Sequence, residues 1–137
     1  MLLNENLFDR ILVSAEASPR RRMHFDLRTS AEEPAWTDMS QRMLNVLTPG
    51  TEIPVHRHRD TSESIIVLRG AVCVVFYNDA GEETEAHELR YGGPCPGIQI
   101  PRGTWHNCRC LEPKSVIFEA KDRPYDPQLT EDYLHRP

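Results

Sequence analysis

The sequence predicts an all-β fold, an antiparallel double-sheet barrel or sandwich preceded by one short N-terminal helix. Three observations carry that prediction. From Met23 onward, short alternating or β-branched segments recur at regular intervals, each ended by a turn signal such as Thr48-Pro49-Gly50, Asn78-Asp79-Ala80-Gly81 or Glu112-Pro113-Lys114. The only stretch with helical periodicity lies before them. The chain of 137 residues, 39% hydrophobic and 27% charged, is enough for a single core and gives no sign of a second domain or an internal repeat.

In order, Asn4 to Ala17 reads as a helix, with Leu7, Phe8, Ile11, Leu12 and Ala15 on one apolar stripe and Asn4 as N-cap. Ser18-Pro19 ends it, because the residue before proline is driven out of the helical region. Such a helix docks over one end of a domain; an interfacial membrane helix would need a more basic polar face. The triplet Arg20-Arg21-Arg22 is read as solvated, with an anion contact near a ligand site as the sharper alternative. Met23 to Arg28 alternates Met23, Phe25 and Leu27 against His24, Asp26 and Arg28, the pattern of a half-buried strand. Thr29 to Asp38 reads as a loop, and Gln41 to Leu47 as a second strand.

Further strands are expected from Glu63 into the apolar run before Gly70, over Ala71–Tyr77, Glu82–Leu89 and Ile98–Ile100, from Trp105 to Leu111, and over Ser115–Ala120. The tail has three prolines and no sustained periodicity, so it is expected to lie extended over the barrel or hang loose at its end. The organisation expected is a helix at 1–19, a barrel at 20–120 and an extended tail at 121–137.

Composition narrows the function classes. A net charge of −5 provides no global field for nucleic acid or an anionic membrane, and no apolar run approaches a bilayer span. Glu5 and Asp9 stand where an export signal would be basic and then apolar, which points to a cytoplasmic protein. Cys73, Cys95, Cys108 and Cys110 do not require a disulfide framework in a chain of this size.

The chemistry lies between Gly50 and Gly70. His56 and His58 are two apart, so on a strand their side chains share a face. Thr61-Ser62 lets the chain bend, and Glu63 is expected to return on the neighbouring strand. His106, after the Pro101-Arg102-Gly103 turn, is expected to enter the barrel from the strand opposite the pair. Three imidazole nitrogens and a carboxylate suit iron(II), manganese, nickel, cobalt or zinc and are too nitrogen-rich for magnesium or calcium. An H-x-H pair alone is a weak signal; the added glutamate and distant histidine raise it. His24, His87 and His135 lack such company and are assigned no role.

The spacing Gly50-x5-His56-x-His58-x4-Glu63-x6-Gly70 matches the first cupin motif at every signature position, and Pro101-x-Gly103-x2-His106 matches the centre of the second. The chain therefore resembles a single-domain cupin. That resemblance implies an antiparallel double-sheet, jelly-roll-like barrel with His56, His58, Glu63 and His106 as metal ligands inside its mouth. Among cupins it most resembles the small WbuC-type metalloproteins, through Ser18-Pro-Arg-Arg-Arg22, Gln41-Arg42, Pro54-x-His56-Arg-His58, Ile100-Pro-x-Gly-Thr-Trp-His106 and Phe118-Glu-Ala-Lys-x-x-Pro-Tyr-Asp-Pro127.

Where the second motif usually begins with glycine and ends with asparagine, this chain has Cys95 and Cys110. Cys110 and Cys108, at even offsets from His106, are expected to face its side, either as small barrel-lining residues or as thiols near the metal.

The WbuC-type resemblance implies a metal and a fold more than a reaction, with some members beside sugar-polymer and O-antigen biosynthesis genes. The function expected is a metal-binding cupin that accepts a small polar, anionic or sugar-like molecule. Arg42, Arg57, Arg102, Trp105, Cys108 and Cys110 are candidate contacts to it. The alternatives are an iron(II) dioxygenase, a metal-dependent sugar isomerase or lyase, and a non-catalytic sensor. A homodimer is expected, since small barrels expose edge strands that a second copy can cover.

Overall fold

The structure is a computed structural model and describes residues 1–28 and 38–135. Most of the loop expected at Thr29 to Asp38 lies outside the described residues. Helix α1 (Glu5–Ala17) begins where Asn4 caps it, its side-chain oxygen accepting from the Leu7 N–H at 3.0 Å. Its stripe of Leu7, Phe8, Ile11, Leu12 and Ala15 is buried. That stripe packs on Leu44, Val46 and Val116, with Met23, Phe25, Leu27 and Phe118 at the margin. Burying a whole apolar stripe on a sheet stabilises a helix too short to persist alone.

Ten strands follow among the described residues: β1 (Arg22–Asp26), β2 (Gln41–Leu47), β3 (His56–His58), β4 (Glu63–Arg69), β5 (Ala71–Tyr77), β6 (Glu83–Arg90), β7 (Gly97–Ile100), β8 (Trp105–Cys110), β9 (Ser115–Lys121) and β10 (Thr130–Asp132). A 3-10 turn at Tyr133–His135 ends the described chain. The strands form two antiparallel five-stranded sheets, ordered β1-β2-β9-β4-β7 and β10-β3-β8-β5-β6.

The inner faces meet over a core of Leu47, Ile65, Val67, Val72, Val74, Leu89, Ile100, Cys108 and Ile117. Helix α1 covers the outer face of the first sheet. Alternation along each strand decides this division: in β9, Ser115, Ile117, Glu119 and Lys121 share one face, while Val116 and Phe118 turn to the helix.

Two features differ from the expectation. The tail contains β10, which pairs with β3 in the register Thr130↔His58, Glu131↔Arg57 and Asp132↔His56. It is a sheet element because β3 would otherwise be an open edge; Arg57 and Arg59 both pair with Glu131 to hold it there. The link from His58 to Glu63 is also no simple return to a neighbouring strand. It crosses between the sheets, so β3 and β4 face each other across the cavity.

Gly70 closes β4 at φ +75°, and a Cβ there would collide with Ser115 Oγ. Only glycine gives both the left-handed turn and that close approach.

Candidate metal centre

His56 and His58 project from β3 to the same side, and His106 on the adjacent β8 is the direct register partner of His56. The three histidines therefore share one sheet, and Glu63 reaches them from the facing sheet. This reverses the expected arrangement, in which Glu63 was the strand neighbour and His106 came from opposite. The reason is the crossing at residues 59–62 together with the Gly103 turn, whose N–H donates to the His58 carbonyl at 2.7 Å and lays β8 beside β3. The ligand atoms of His56, His58, Glu63 and His106 lie within 4.8 Å of one another, and all but His56 are fully buried.

Each ring is fixed by its other nitrogen. His56 Nδ1 lies 2.9 Å from the Pro54 carbonyl and His106 Nδ1 2.8 Å from the Thr104 carbonyl. A carbonyl only accepts, so both Nδ1 atoms carry hydrogen, and in the neutral ring Nε2 is a bare lone pair. His58 Nδ1 faces the Thr130 hydroxyl at 3.2 Å.

Nε2 of His58 and of His106 then face Glu63 Oε2 at 3.3 and 3.4 Å. That oxygen is buried and has no hydrogen-bond partner among the described residues. With its Nδ1 hydrogen committed to the Thr104 carbonyl, the neutral His106 ring turns a lone pair toward that carboxylate oxygen, and the two repel unless a cation or an added proton lies between them. A metal with bonds of about 2.1 Å needs neighbouring ligand atoms about 3 Å apart, close to the spacings present. The donor set fits a divalent transition metal of the zinc, iron, nickel or manganese kind.

Electrostatics follow from burial. Loss of solvent, and then the nearby His106 ring, push the His56 imidazole down to about 4; its edge is half-exposed, but cavity walls surround the ring. Burial alone would raise the Glu63 carboxyl, but the His106 and His58 rings outweigh it and hold the group well below its usual range. Glu119, on β9 beside Glu63, is pushed well above the usual carboxylate range by burial and then by the charge on Glu63. The pair thus behaves as one ionised and one protonated carboxyl.

The four residues lie in a cavity of about 590 Å³. Of the six candidate ligand contacts, only Cys108 is among the lining residues. Arg57 and Trp105 flank the ligands by one position, so the strand period turns them outward: Arg57 lies over the Trp105 ring at 4.2 Å and pairs with Glu131, while Trp105 Nε1 donates to Asp79. Arg42 points outward on β2 and pairs with Asp38 at 2.6 Å. Arg102 is exposed in the turn before β8. Cys110 lies further along β8, where its thiol faces the Glu112 carbonyl at 3.0 Å. Cys108 is buried next to Cys110 in the core, and burial raises its thiol well above the usual value, against reactivity.

The cavity wall that the sequence pattern did not bring forward is the inner face of the first sheet. It comprises Arg22 and His24 of β1, Gln41, Met43 and Asn45 of β2, and Glu119 and Lys121 of β9, with Arg20 at the rim. The signal was present: Gln41-x-Met43-x-Asn45 runs in phase with buried Leu47, and Glu119-x-Lys121 in phase with buried Ile117. Polar residues in phase with a core face mark a cavity. Tyr125, Pro127, Thr130 and Asp132 of the tail complete the wall.

Solved structures with the same architecture include the capsular polysaccharide assembling protein CapF from Staphylococcus aureus, at TM-score 0.55 and 23% identity over 69% of this chain and 26% of that one. An oxalate oxidase in complex with the substrate analogue glycolate gives TM-score 0.60 and 20% identity over 78% of this chain and 53% of that one. A point mutant of the Bacillus subtilis oxalate decarboxylase OxdC gives TM-score 0.61 and 18% identity over 85% of this chain and 30% of that one. The chain thus spans between about a quarter and a half of the length of these proteins. The likeness is one of fold: this is a cupin barrel.

No curated protein matches the sequence. No helix among the described residues is long and apolar enough to cross a membrane. Residues 3–89 match the family model described as Domain of unknown function (DUF6016). With more than half of its length matched and the cupin barrel around it, the chain belongs to the DUF6016 family.

Proposed function

We propose that this protein is a metal-binding cupin whose barrel mouth receives a small polar molecule, anionic or sugar-like, next to one divalent transition metal. His56, His58, Glu63 and His106 are the ligands in this reading. The observation that carries it is the convergence of the four ligand atoms within 4.8 Å of one another, with the Nδ1 hydrogens of His56 and His106 tied to backbone carbonyls. When bound, such a metal supplies Lewis-acid polarisation of a ligand oxygen.

The protein's own part is holding and shielding. The Pro54 and Thr104 carbonyls and the Thr130 hydroxyl orient the rings, the β10 strap and Tyr125 cover the mouth, and the Gln41, Asn45 and Lys121 wall faces the occupant. Four protein ligands leave room for an occupant's oxygen atoms on a six-coordinate ion.

The kinship we propose within cupins is to the WbuC-type proteins, and with it a cytoplasmic role near polysaccharide assembly. We propose a homodimer as the working unit, one that covers a sheet edge such as β1 or β7. The reaction is open between metal-assisted isomerisation or lyase chemistry and iron-dependent oxygenation, and a sensor without turnover uses the same geometry.

The test is elemental analysis of protein purified without added metal, beside His56→Ala and His106→Ala. One metal per chain in the wild type and its loss in both variants is expected. Equal metal content in all three overturns the proposal.

A further inference from the structure

The wall opposite the histidines contains a cation that is paired with no carboxylate among the described residues and feels Glu63 and Glu119 only at longer range. Lys121 is 9% exposed, and neither a hydrogen bond nor an ion pair reaches its ammonium among the described residues. Its nearest identified contact is the face of Tyr125, 5.6 Å away. The sheet register places it beside the metal site, because Lys121 is the direct partner of Glu63 on one side and of Gln41 on the other. Cross-strand partners on one face have Cβ atoms about 5 Å apart. A lysine stem is long enough to carry its charge over a group resting against Glu63.

The neighbours are similarly uncommitted. Gln41 is 6% exposed, and its amide nitrogen reaches only the Met43 sulfur, a weak acceptor. Asn45 Oδ1 is buried without a partner. By contrast, the Arg22 guanidinium is taken up by the Glu52 carbonyl and the Thr51 hydroxyl, and Arg57 and Arg42 are paired outside the cavity. Of the charged lining residues, Arg20, Arg22 and Lys121 are cationic, and Glu63, Glu119 and Asp132 are acidic. Three of each leave the lining without metal balanced in formal charge. A divalent ion at the histidines makes it strongly positive. A lysine largely withdrawn from water, with its ammonium turned to the cavity and no ion pair of its own, favours an anion as the occupant beside it.

We propose that Lys121, flanked by Gln41, binds the oxyanion group of the ligand, and that the occupant is a small carboxylate or phosphate whose adjacent oxygen reaches the histidine cluster. This rests on the metal reading for the second contact only. The anion contact depends on Lys121 alone.

The test titrates glycolate, its neutral analogue glycolamide and inorganic phosphate into zinc-loaded and metal-free protein, followed by backbone amide NMR shifts. Wild type is compared with Lys121→Met, which keeps the stem, and Lys121→Arg, which restores the charge. Glycolate or phosphate is expected to bind wild type at least about tenfold more tightly than glycolamide; which of the two binds better distinguishes carboxylate from phosphate. Lys121→Met should lose that preference while retaining its zinc and its folded spectrum, and Lys121→Arg should regain most of it.

Anion binding by Lys121→Met equal to wild type overturns the proposal, as does the absence of any anion binding to both forms of the wild type. If the wild type holds no metal, the metal reading fails by itself. The metal-free titration then still decides the role of Lys121.

Discussion

Among the described residues, Thr130 orients a candidate ligand histidine through its side chain rather than its backbone. The Nδ1 atoms of His56 and His106 are held by carbonyls that mutation cannot remove, whereas His58 Nδ1 is held by the Thr130 hydroxyl at 3.2 Å. Thr130→Val keeps the shape of the side chain and the β10–β3 backbone pairing but removes that oxygen. Partners of this kind cost about 10–100-fold in metal affinity when lost, or about 1.4–2.8 kcal/mol.

At a metal concentration of about 1,000 times the dissociation constant, binding stabilises the wild type by about 4 kcal/mol. At roughly 4 °C per kcal/mol for a chain of this size, the zinc-induced rise in Tm is about 16 °C. Thr130→Val should show a rise about 6–11 °C smaller at the same zinc concentration. Its metal-free Tm should change little, because Thr130 is only half-buried. Thr130→Ser, which keeps the hydroxyl, should restore most of the difference. Differential scanning calorimetry with and without zinc reads all three. An identical zinc increment in wild type and Thr130→Val would refute the claim that this hydroxyl sets the His58 ring.

Two further outcomes follow from burial. His56, held at about 4 in the metal-free protein against about 6.5 in an unfolded chain, binds fewer protons when folded between those values. The metal-free protein should therefore lose stability as pH falls from about 7 toward 4, and the His56 ring should titrate near 4 by NMR; a midpoint above about 5.5 contradicts the stated cause. Phe8 is 4% exposed in the α1 interface, so Phe8→Ala should cost about 3–5 kcal/mol in denaturant unfolding. Metal content should not change, since α1 packs on the outer face of the sheet and not on the cavity; coupled loss of both would show that the helix supports the site.

Local chemistry was legible from the chain alone. The Asn4 cap, the apolar stripe of α1 and the alternation of β1 and β2 each depend on a residue and its near neighbours. So does the convergence of His56 with His58, because two residues apart on a strand means one face. The candidate ligands His56, His58, Glu63 and His106 could be listed from their spacing.

Which sheet each of them came from could not. That depended on residues 59–62 crossing the barrel and on the Gly103 N–H reaching the His58 carbonyl, contacts that no local pattern encodes. The same limit explains the ligand contacts. Arg57 and Trp105 are adjacent in sequence to metal-site histidines yet face away, while Gln41 and Lys121 are remote in sequence and line the cavity. Proximity along a strand alternates between faces, and proximity across sheets is set by register. The sequence by itself determined an all-β chain with one capped helix and the identities of four metal-type side chains. The tertiary structure decided what surrounds them, because only the pairing of β9 with β4 on one side and β2 on the other brings Lys121 beside Glu63 and Gln41.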